Sequence, residues 1–243
     1  MDDAFLAGRV REWQADPDIQ AAVLTGSRAT GCWDAESDYD ITLVLTEDAY
    51  QAHQAPHTPG GLVDVVPSSL SSLRELAANP GWWTPGYVGA RVLFDKTGEV
   101  ESVLKQMVSL PPDKARADTA GWLDAYLNSF YRAMKAARRG DLLGAHLHAA
   151  ESMHHLLKAL FSLHGIVPPY HDRLRGSWGL LTKVPWQDGE LEERIHHILR
   201  TADPTAQQKL ELEVEELMRS EGYGHVVDGW GGELERVRRF VLA

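Results

Sequence analysis

Residues 21–45 read AAVLTGSRATGCWDAESDYDITLVL, in which two apolar runs flank a segment of small and acidic residues. The first run, residues 21–24, has the length and composition of a buried strand. Gly26 and Ser27 follow it, and a small pair at this point lets the backbone turn so that N–H groups and a hydroxyl face an anion. The pattern predicts a phosphate site, with an ordinary turn as the alternative.

Two carboxylates open the second apolar run. Asp38 and Asp40 precede residues 41–45, and residues two apart on a strand point to the same face. Adjacent carboxylates repel one another, and burying them is costly unless a cation lies between them. Mg²⁺ is commonly held by one or two carboxylates together with phosphate oxygens of a substrate. Together, the Gly-Ser pair and the two carboxylates predict a binding site for a nucleoside triphosphate with its Mg²⁺. The alternative is that both acids are solvated loop residues.

The order of strand, Gly-Ser, spacer, Ser37-Asp38-Tyr39-Asp40 and strand resembles the signature of the DNA polymerase beta-like nucleotidyltransferase superfamily. Within it, the chain most resembles the bacterial aminoglycoside nucleotidyltransferases, which are adenylyltransferases, and their relatives. The specific similarity covers roughly residues 23–66. This resemblance implies that Asp38 and Asp40 hold the metal, that Gly26 and Ser27 fix the phosphates, and that Ser37 assists beside the metal.

Arg28 comes directly after the Gly-Ser pair. Its position is close enough to help hold a triphosphate, and a surface ion pair is equally compatible with the sequence. Cys32, the single cysteine, excludes a disulfide within the chain and is expected to be a small neutral filler.

A third carboxylate, Asp64, interrupts the apolar run of residues 62–66. An acid in the middle of a buried strand is costly unless it has a function. In the resembled family, a carboxylate on this strand is a metal ligand or the base that deprotonates the attacking hydroxyl, and Asp64 matches that position. The alternative is an outward-facing residue on an edge strand.

Three aromatic residues, Trp82, Trp83 and Tyr87, lie on a segment rich in glycine and proline. Such a loop could stack a base or line a wall for a sugar substrate. They could equally be anchors that hold the loop on the core.

From residue 99 onward the sequence favours helices, and Pro111-Pro112 suggests a boundary. Apolar residues such as Leu123, Leu127 and Phe130 recur at helical spacing, and Asp203-Pro204 has the pattern of a helix start. We therefore expect an α/β (α+β) chain, with a small mixed-sheet nucleotidyltransferase domain at residues 1–110 and an all-helical bundle at 111–243.

The family resemblance implies that the helical domain supplies basic residues that grip the triphosphate. Arg173 is our first candidate for this role and Lys183 is the second, although either could be ordinary surface charge.

The net charge is −11, with 35 acidic and 24 basic residues. This balance argues against a nucleic-acid partner and favours a cationic substrate. The alternative is that the negative charge simply keeps the protein in solution. No apolar run approaches the ~18 residues of a membrane span. We expect a cytoplasmic protein without a membrane partner, acting as a monomer or homodimer.

The sequence thus predicts transfer of AMP from Mg-ATP to a hydroxyl of a small, cationic acceptor such as an aminoglycoside, with release of pyrophosphate. An antitoxin-like adenylyltransferase with a protein acceptor and a catalytically silent nucleotide-binding module are the alternatives.

Overall fold

The computed structural model describes residues 3–53 and 61–240 of the chain. The chain divides into two compact units. The first combines Met1–Leu110 with Val167–Trp178, and the second combines Pro111–Ile166 with Gly179–Ala243. The first change of unit falls between Leu110 and Pro111, and a short later segment belongs to the first unit again.

In the described part of the first unit, the strands form one four-stranded sheet. They are β1 (Ile19–Leu24), β2 (Tyr39–Leu45), β3 (Val63–Ser69) and β4 (Arg91–Asp95), in the order β3-β2-β1-β4. β1 pairs antiparallel with β2 and with β4, whereas β2 and β3 are parallel. The predicted mixed sheet is confirmed.

Helices of the first unit are α1 (Asp3–Ala15), α2 (Gly26–Thr30), α3 (Glu47–Ala52), α4 (Leu70–Ala78) and α5 (Val100–Met107). Ala21 and Val23 of β1 pack with buried residues of α4 and α5, while Ala22 and Leu24 pack in a second cluster that includes Trp13 of α1. Successive strand residues point to opposite faces, so residues 21–24 of β1 are all apolar because both faces of the strand are covered.

The second unit is helical in its described residues. It contains α6 (Pro112–Arg138), α7 (Leu142–Leu163), α8 (Glu190–Thr201), α9 (Pro204–Ser220), α10 (Gly224–Asp228) and α11 (Gly232–Arg238). Leu123, Leu127 and Phe130 are buried on α6, as their spacing predicts. Asp203 caps α9 by accepting a hydrogen bond from the Thr205 N–H, and Pro204 occupies the first turn. The expected helical C-terminal region is confirmed.

Two further segments are 3₁₀ helices, Thr84–Tyr87 and His171–Leu180. Across residues 3–53 and 61–240, none of the helices combines the length and apolar character needed to cross a membrane.

Candidate functional site

Three aspartates meet at one end of the strand pair β2 and β3. Asp40 on β2 is the register partner of Asp64 on β3, and Asp38 lies two residues before Asp40. One carboxylate oxygen from each residue lies within 4.8 Å of the other two. All three side chains are half-buried. The parallel register therefore brings Asp64 next to Asp40, although 24 positions separate the two residues in the sequence.

The electrostatics of this cluster disfavour ionisation of Asp40. Burial raises the pKa of Asp40 above its ordinary value, and the charges of Asp38 and Asp64 raise it further. The positive charge of Arg173 acts in the opposite direction but does not outweigh them. A bound cation would relieve the repulsion that remains.

The residues fit a divalent cation such as Mg²⁺. Carboxylate oxygens are the donors that this ion prefers, and three of them are close enough to share one ion. Among the described residues, no other group of three or more Asp, Glu, His or Cys side chains comes together in this way. Asp38, Asp40 and Asp64 are therefore the residues that could hold a metal.

Gly26 lies directly against this cluster. Its φ is +72°, and a Cβ atom built on it would lie 1.6 Å from Oδ2 of Asp40. The neighbouring Thr25 N–H donates to the Asp40 carbonyl oxygen at 2.8 Å, which joins the start of α2 to β2. The observed distance between the Gly26 backbone and the Asp40 carboxylate requires a residue without a side chain. The predicted Gly26-Ser27 turn therefore lies next to the carboxylates.

Ser27 follows in α2 and is half-buried. Its carbonyl oxygen accepts hydrogen bonds from the Cys32 N–H at 2.9 Å and from the Thr30 hydroxyl at 3.2 Å. Cys32 itself is a free, half-buried cysteine. These contacts fix the turn that places Ser27 next to Gly26.

Arg28 binds the loop that carries Asp38. Its Nε donates to the carbonyl oxygen of Asp38 at 2.9 Å, and its Nη2 donates to that of Ser37 at 2.6 Å. The guanidinium lies 4.1 Å from the ring centroid of Tyr39 and 4.9 Å from that of Trp33. In this structure Arg28 therefore positions the loop, and the predicted contact with a triphosphate stays a prediction.

The Ser37 hydroxyl is also part of this loop. It donates to Oδ1 of Asp34 at 3.1 Å and accepts from the Asp34 N–H at 3.0 Å. Asp34 is a residue that the sequence analysis did not select, although an Asp three residues before a Ser is a common sign of a local side-chain turn.

Arg173 belongs to the first unit, in the segment Val167–Trp178, and its charge acts on Asp40. Its Nη1 donates to the carbonyl oxygen of Gly86 at 3.2 Å, and its guanidinium lies 5.5 Å from the Tyr170 ring centroid. The Tyr170 hydroxyl donates to the carbonyl oxygen of Trp82 at 2.7 Å. These contacts hold Arg173 beside the carboxylates, in the unit that carries them.

Gly176, which the sequence analysis missed, seats the same segment against α2. A Cβ atom on Gly176 would lie 2.2 Å from the carbonyl oxygen of Thr30. No local sequence signal reveals this close approach because the two residues are far apart in the chain.

Lys183 lies in the other unit. Its Nζ is 3.3 Å from Oε2 of Glu221 and 3.4 Å from the carbonyl oxygen of Leu163. The structure thus groups Arg173 with the carboxylates and places Lys183 among helical residues.

The three aromatic residues have different environments. Trp82 and Trp83 are exposed, with ring centroids 3.8 Å apart. Tyr87 packs against the core formed with α4 and α5, and its hydroxyl is 3.3 Å from that of Thr42. Burial raises the pKa of Tyr87. The tryptophans remain candidates for a substrate contact, while the Tyr87 ring serves as an anchor of its loop.

No protein-family model matches the chain, and no curated protein matches it. Among solved structures, the chain is similar to the crystal structure of a nucleotidyltransferase-like protein from Exiguobacterium sibiricum 255-15. The sequence identity is 14%, the similarity covers 96% of this chain and 77% of that one, and the TM-score is 0.38. The function is therefore inferred from the residues of the site.

Proposed function

We propose that the protein is a metal-dependent nucleotidyltransferase. The observation that carries this proposal is the cluster of Asp38, Asp40 and Asp64, whose carboxylate oxygens lie within 4.8 Å of one another. Such a cluster, next to a glycine turn and an arginine, offers the chemistry that a nucleoside triphosphate with Mg²⁺ requires. When bound, Mg²⁺ would neutralise charge on the phosphates and on the leaving group.

The chain's own residues would divide the remaining tasks. Gly26 and Ser27 would bind phosphate oxygens through their N–H groups and the Ser27 hydroxyl. Arg173 would contribute positive charge beside Asp40, where its field already acts. Arg28 would keep Asp38 in place through the backbone of its loop. Positioning and electrostatics supply most of the rate in reactions of this class.

We further propose that the group transferred is AMP from ATP and that the acceptor is a hydroxyl. A bond forms between the acceptor oxygen and the α-phosphorus, the bond from that phosphorus to the β-phosphate bridging oxygen breaks, and pyrophosphate leaves. Asp64 accepts the proton of the hydroxyl. As a base it must come within hydrogen-bonding distance of that group.

A small cationic acceptor such as an aminoglycoside is the substrate class we propose. The net charge of −11 favours a positively charged substrate over an anionic one. The exposed pair Trp82 and Trp83 offers two aromatic rings on which a sugar could pack.

The test is pyrophosphate release from Mg-ATP and the other nucleoside triphosphates, measured against a panel of aminoglycosides and other hydroxylated amines. Asp38→Asn is the inactive variant, and Asp48→Asn, which removes an exposed carboxylate on α3, is the matched control. We expect release that depends on the acceptor, is lost in Asp38→Asn and is kept in Asp48→Asn.

Two results would contradict parts of this proposal. Equal turnover in Asp38→Asn and wild type would remove the metal assignment. ATP binding without release for any acceptor in the panel would overturn the small-molecule acceptor, and would direct the search to a protein acceptor or to nucleotide sensing.

A further inference from the structure

The helical unit contains a cavity of about 240 Å³. Its lining residues come from one face of α6, from α7 and from the residues that follow α10; they are Asn128, Tyr131, Arg132, Lys135, Arg139, His148 and Trp230. The α6 residues recur at intervals of three and four positions, which places them along one side of the helix, with Arg139 just after its end. Three cationic side chains therefore line one cavity.

In the described part of the chain, these cations have no ion-pair partner. Within residues 3–53 and 61–240, neither Arg132, Lys135 nor Arg139 has a carboxylate oxygen within the 4.0 Å that defines an ion pair. Arg132 Nε donates to Oδ1 of Asn128 at 3.1 Å, and Lys135 Nζ donates to the hydroxyl of Tyr131 at 3.4 Å. Both acceptors are neutral, so neither hydrogen bond forms an ion pair.

The acids near the cavity are bound by other donors. The Tyr131 hydroxyl donates to Oε2 of Glu233 at 2.6 Å, and the Trp230 indole N–H donates to Oδ1 of Asp124 at 2.9 Å. His148 Nδ1 lies 2.9 Å from Oε2 of Glu151. In a chain with 35 acidic and 24 basic residues, three basic groups without acidic partners on one wall need an explanation.

Several other basic residues of the same unit are paired with acids. Arg238 contacts Glu211 and Glu215, and Arg194 contacts Glu190 and Glu213. What distinguishes the cavity is that three basic side chains share one lining, where an anion from outside the chain could bind all of them.

Aromatic rings complete the lining. The ring centroids of Tyr131 and Trp230 are 5.7 Å apart, with an angle of 52° between their planes. The Trp230 nitrogen is held by Asp124, which fixes the orientation of the indole. A planar group of a ligand can stack on such a ring.

We propose that this cavity binds a small phosphomonoester with a planar ring, such as a nucleoside monophosphate. Guanidinium groups match phosphate oxygens in pairs, and the lysine adds a further charge. The indole would contact the planar ring. A small ligand is favoured over a nucleic acid, because a chain with a net charge of −11 repels a long polyanion. This site lies in the helical unit and does not depend on the proposed transferase activity.

The test is calorimetric titration with AMP and with ribose 5-phosphate in EDTA, in an Asp38→Asn background that removes metal-dependent binding at the carboxylates. The double variant Arg132→Gln/Arg139→Gln should weaken binding of both ligands at least tenfold. Arg116→Gln, which removes an exposed arginine near the start of the same helix, is the matched control and should leave both affinities unchanged. Trp230→Leu should weaken AMP severalfold and ribose 5-phosphate little.

Retention of AMP affinity in the double variant would overturn the proposal, and so would an equal loss in Arg116→Gln. Equal weakening of both ligands in Trp230→Leu would remove the ring contact. Tighter binding of a single-stranded oligoribonucleotide than of AMP, lost in the double variant, would replace the small ligand by nucleic acid. Circular dichroism checks folding, and Arg139→Gln alone, at the exposed end of α6, repeats the test if the double variant unfolds.

Discussion

Gly26 is the point at which the backbone comes closest to the acidic cluster. A side chain there would collide with the Asp40 carboxylate, and its φ of +72° is in the region that disfavours other residues. Steric and conformational costs therefore act together at one position.

We predict that Gly26→Ala lowers the free energy of unfolding by about 3 kcal/mol or more and weakens divalent-ion binding, since Asp40 must move. Gly98→Ala is the control, because Gly98 has a φ of +73° and open space around its Cβ position. It should lose only about 1–2 kcal/mol from the backbone conformation. Urea unfolding measures both, and equal losses would contradict the proposed contact.

Asp40 gives a prediction about pH. Its pKa is raised by burial first and then by neighbouring acids, so its ionisation disfavours the metal-free fold. The contribution of protonated Asp40 to stability is fully present below the unfolded pKa, near 4, and it is lost as pH rises through the higher folded pKa. In EDTA, Asp40→Asn should therefore gain stability relative to wild type as pH increases above about 4. Thermal unfolding from pH 4 to 7 checks this, and a difference that does not change with pH would contradict it.

At the scale of elements, the turn after β4 provides a helix cap. Oδ2 of Asp95 accepts the Val100 N–H at 2.9 Å, and Oδ1 accepts the Thr97 N–H at 2.8 Å. Burial raises the pKa of Asp95, but these hydrogen bonds and that of the Thr97 hydroxyl outweigh it and leave the pKa lowered. The carboxylate is thus bound by α5 and by the turn before it.

Asp95→Ala should cost about 1–2 kcal/mol at pH 7. Because the folded pKa is lowered, this contribution is present above the unfolded pKa, near 4, and is lost as pH falls through the folded value. The cost should therefore shrink at pH 3 in urea unfolding. An equal cost at both pH values would show that the hydrogen bonds of the ionised carboxylate are not its source.

A buried ion pair joins α9 and α11. Arg238 donates from Nε to Oε2 of Glu211 at 2.7 Å and from Nη2 to Oε1 at 2.6 Å, and it also contacts Glu215. The Glu211 side chain is fully buried, and burial raises its pKa despite the arginine. Removing Arg238 would leave that carboxylate without its partner.

Arg238→Met should destabilise the protein by about 3–5 kcal/mol, and the double variant Arg238→Met/Glu211→Leu should recover much of the loss. Arg236→Met, an exposed arginine on the same helix, should cost less than about 1 kcal/mol. Urea unfolding of wild type and the three variants measures these differences. Similar effects of the two single variants would contradict the buried pair.

The strands and the bundle helices follow from local patterns. Apolar runs mark β1, β2 and β3, and helical spacing marks the buried residues of α6. The register of Asp40 with Asp64 could not be obtained in the same way, because a parallel pairing is set by contacts between distant segments.

At the scale of the whole molecule, the chain leaves its first unit at Pro111 and returns to it for residues Val167–Trp178. The family resemblance indicated Arg173 as a phosphate contact but placed this residue in the helical domain. The contacts of Tyr170 with Trp82 and of Arg173 with Gly86 tie the segment to the sheet unit. Such long-range contacts have no local sequence pattern. The sequence could therefore indicate candidate residues of the site, but not the contacts that bring them together.

The proposed transferase chemistry depends on a metal centre formed by the three aspartates. The most direct measurement is the binding of Mn²⁺, a paramagnetic substitute for Mg²⁺, followed by electron paramagnetic resonance in wild type, Asp38→Asn, Asp40→Asn and the exposed control Asp48→Asn. We predict binding that weakens at least tenfold in both site variants and is unchanged in the control. Equal Mn²⁺ affinity in all four proteins would contradict the metal centre and the transferase chemistry inferred from it.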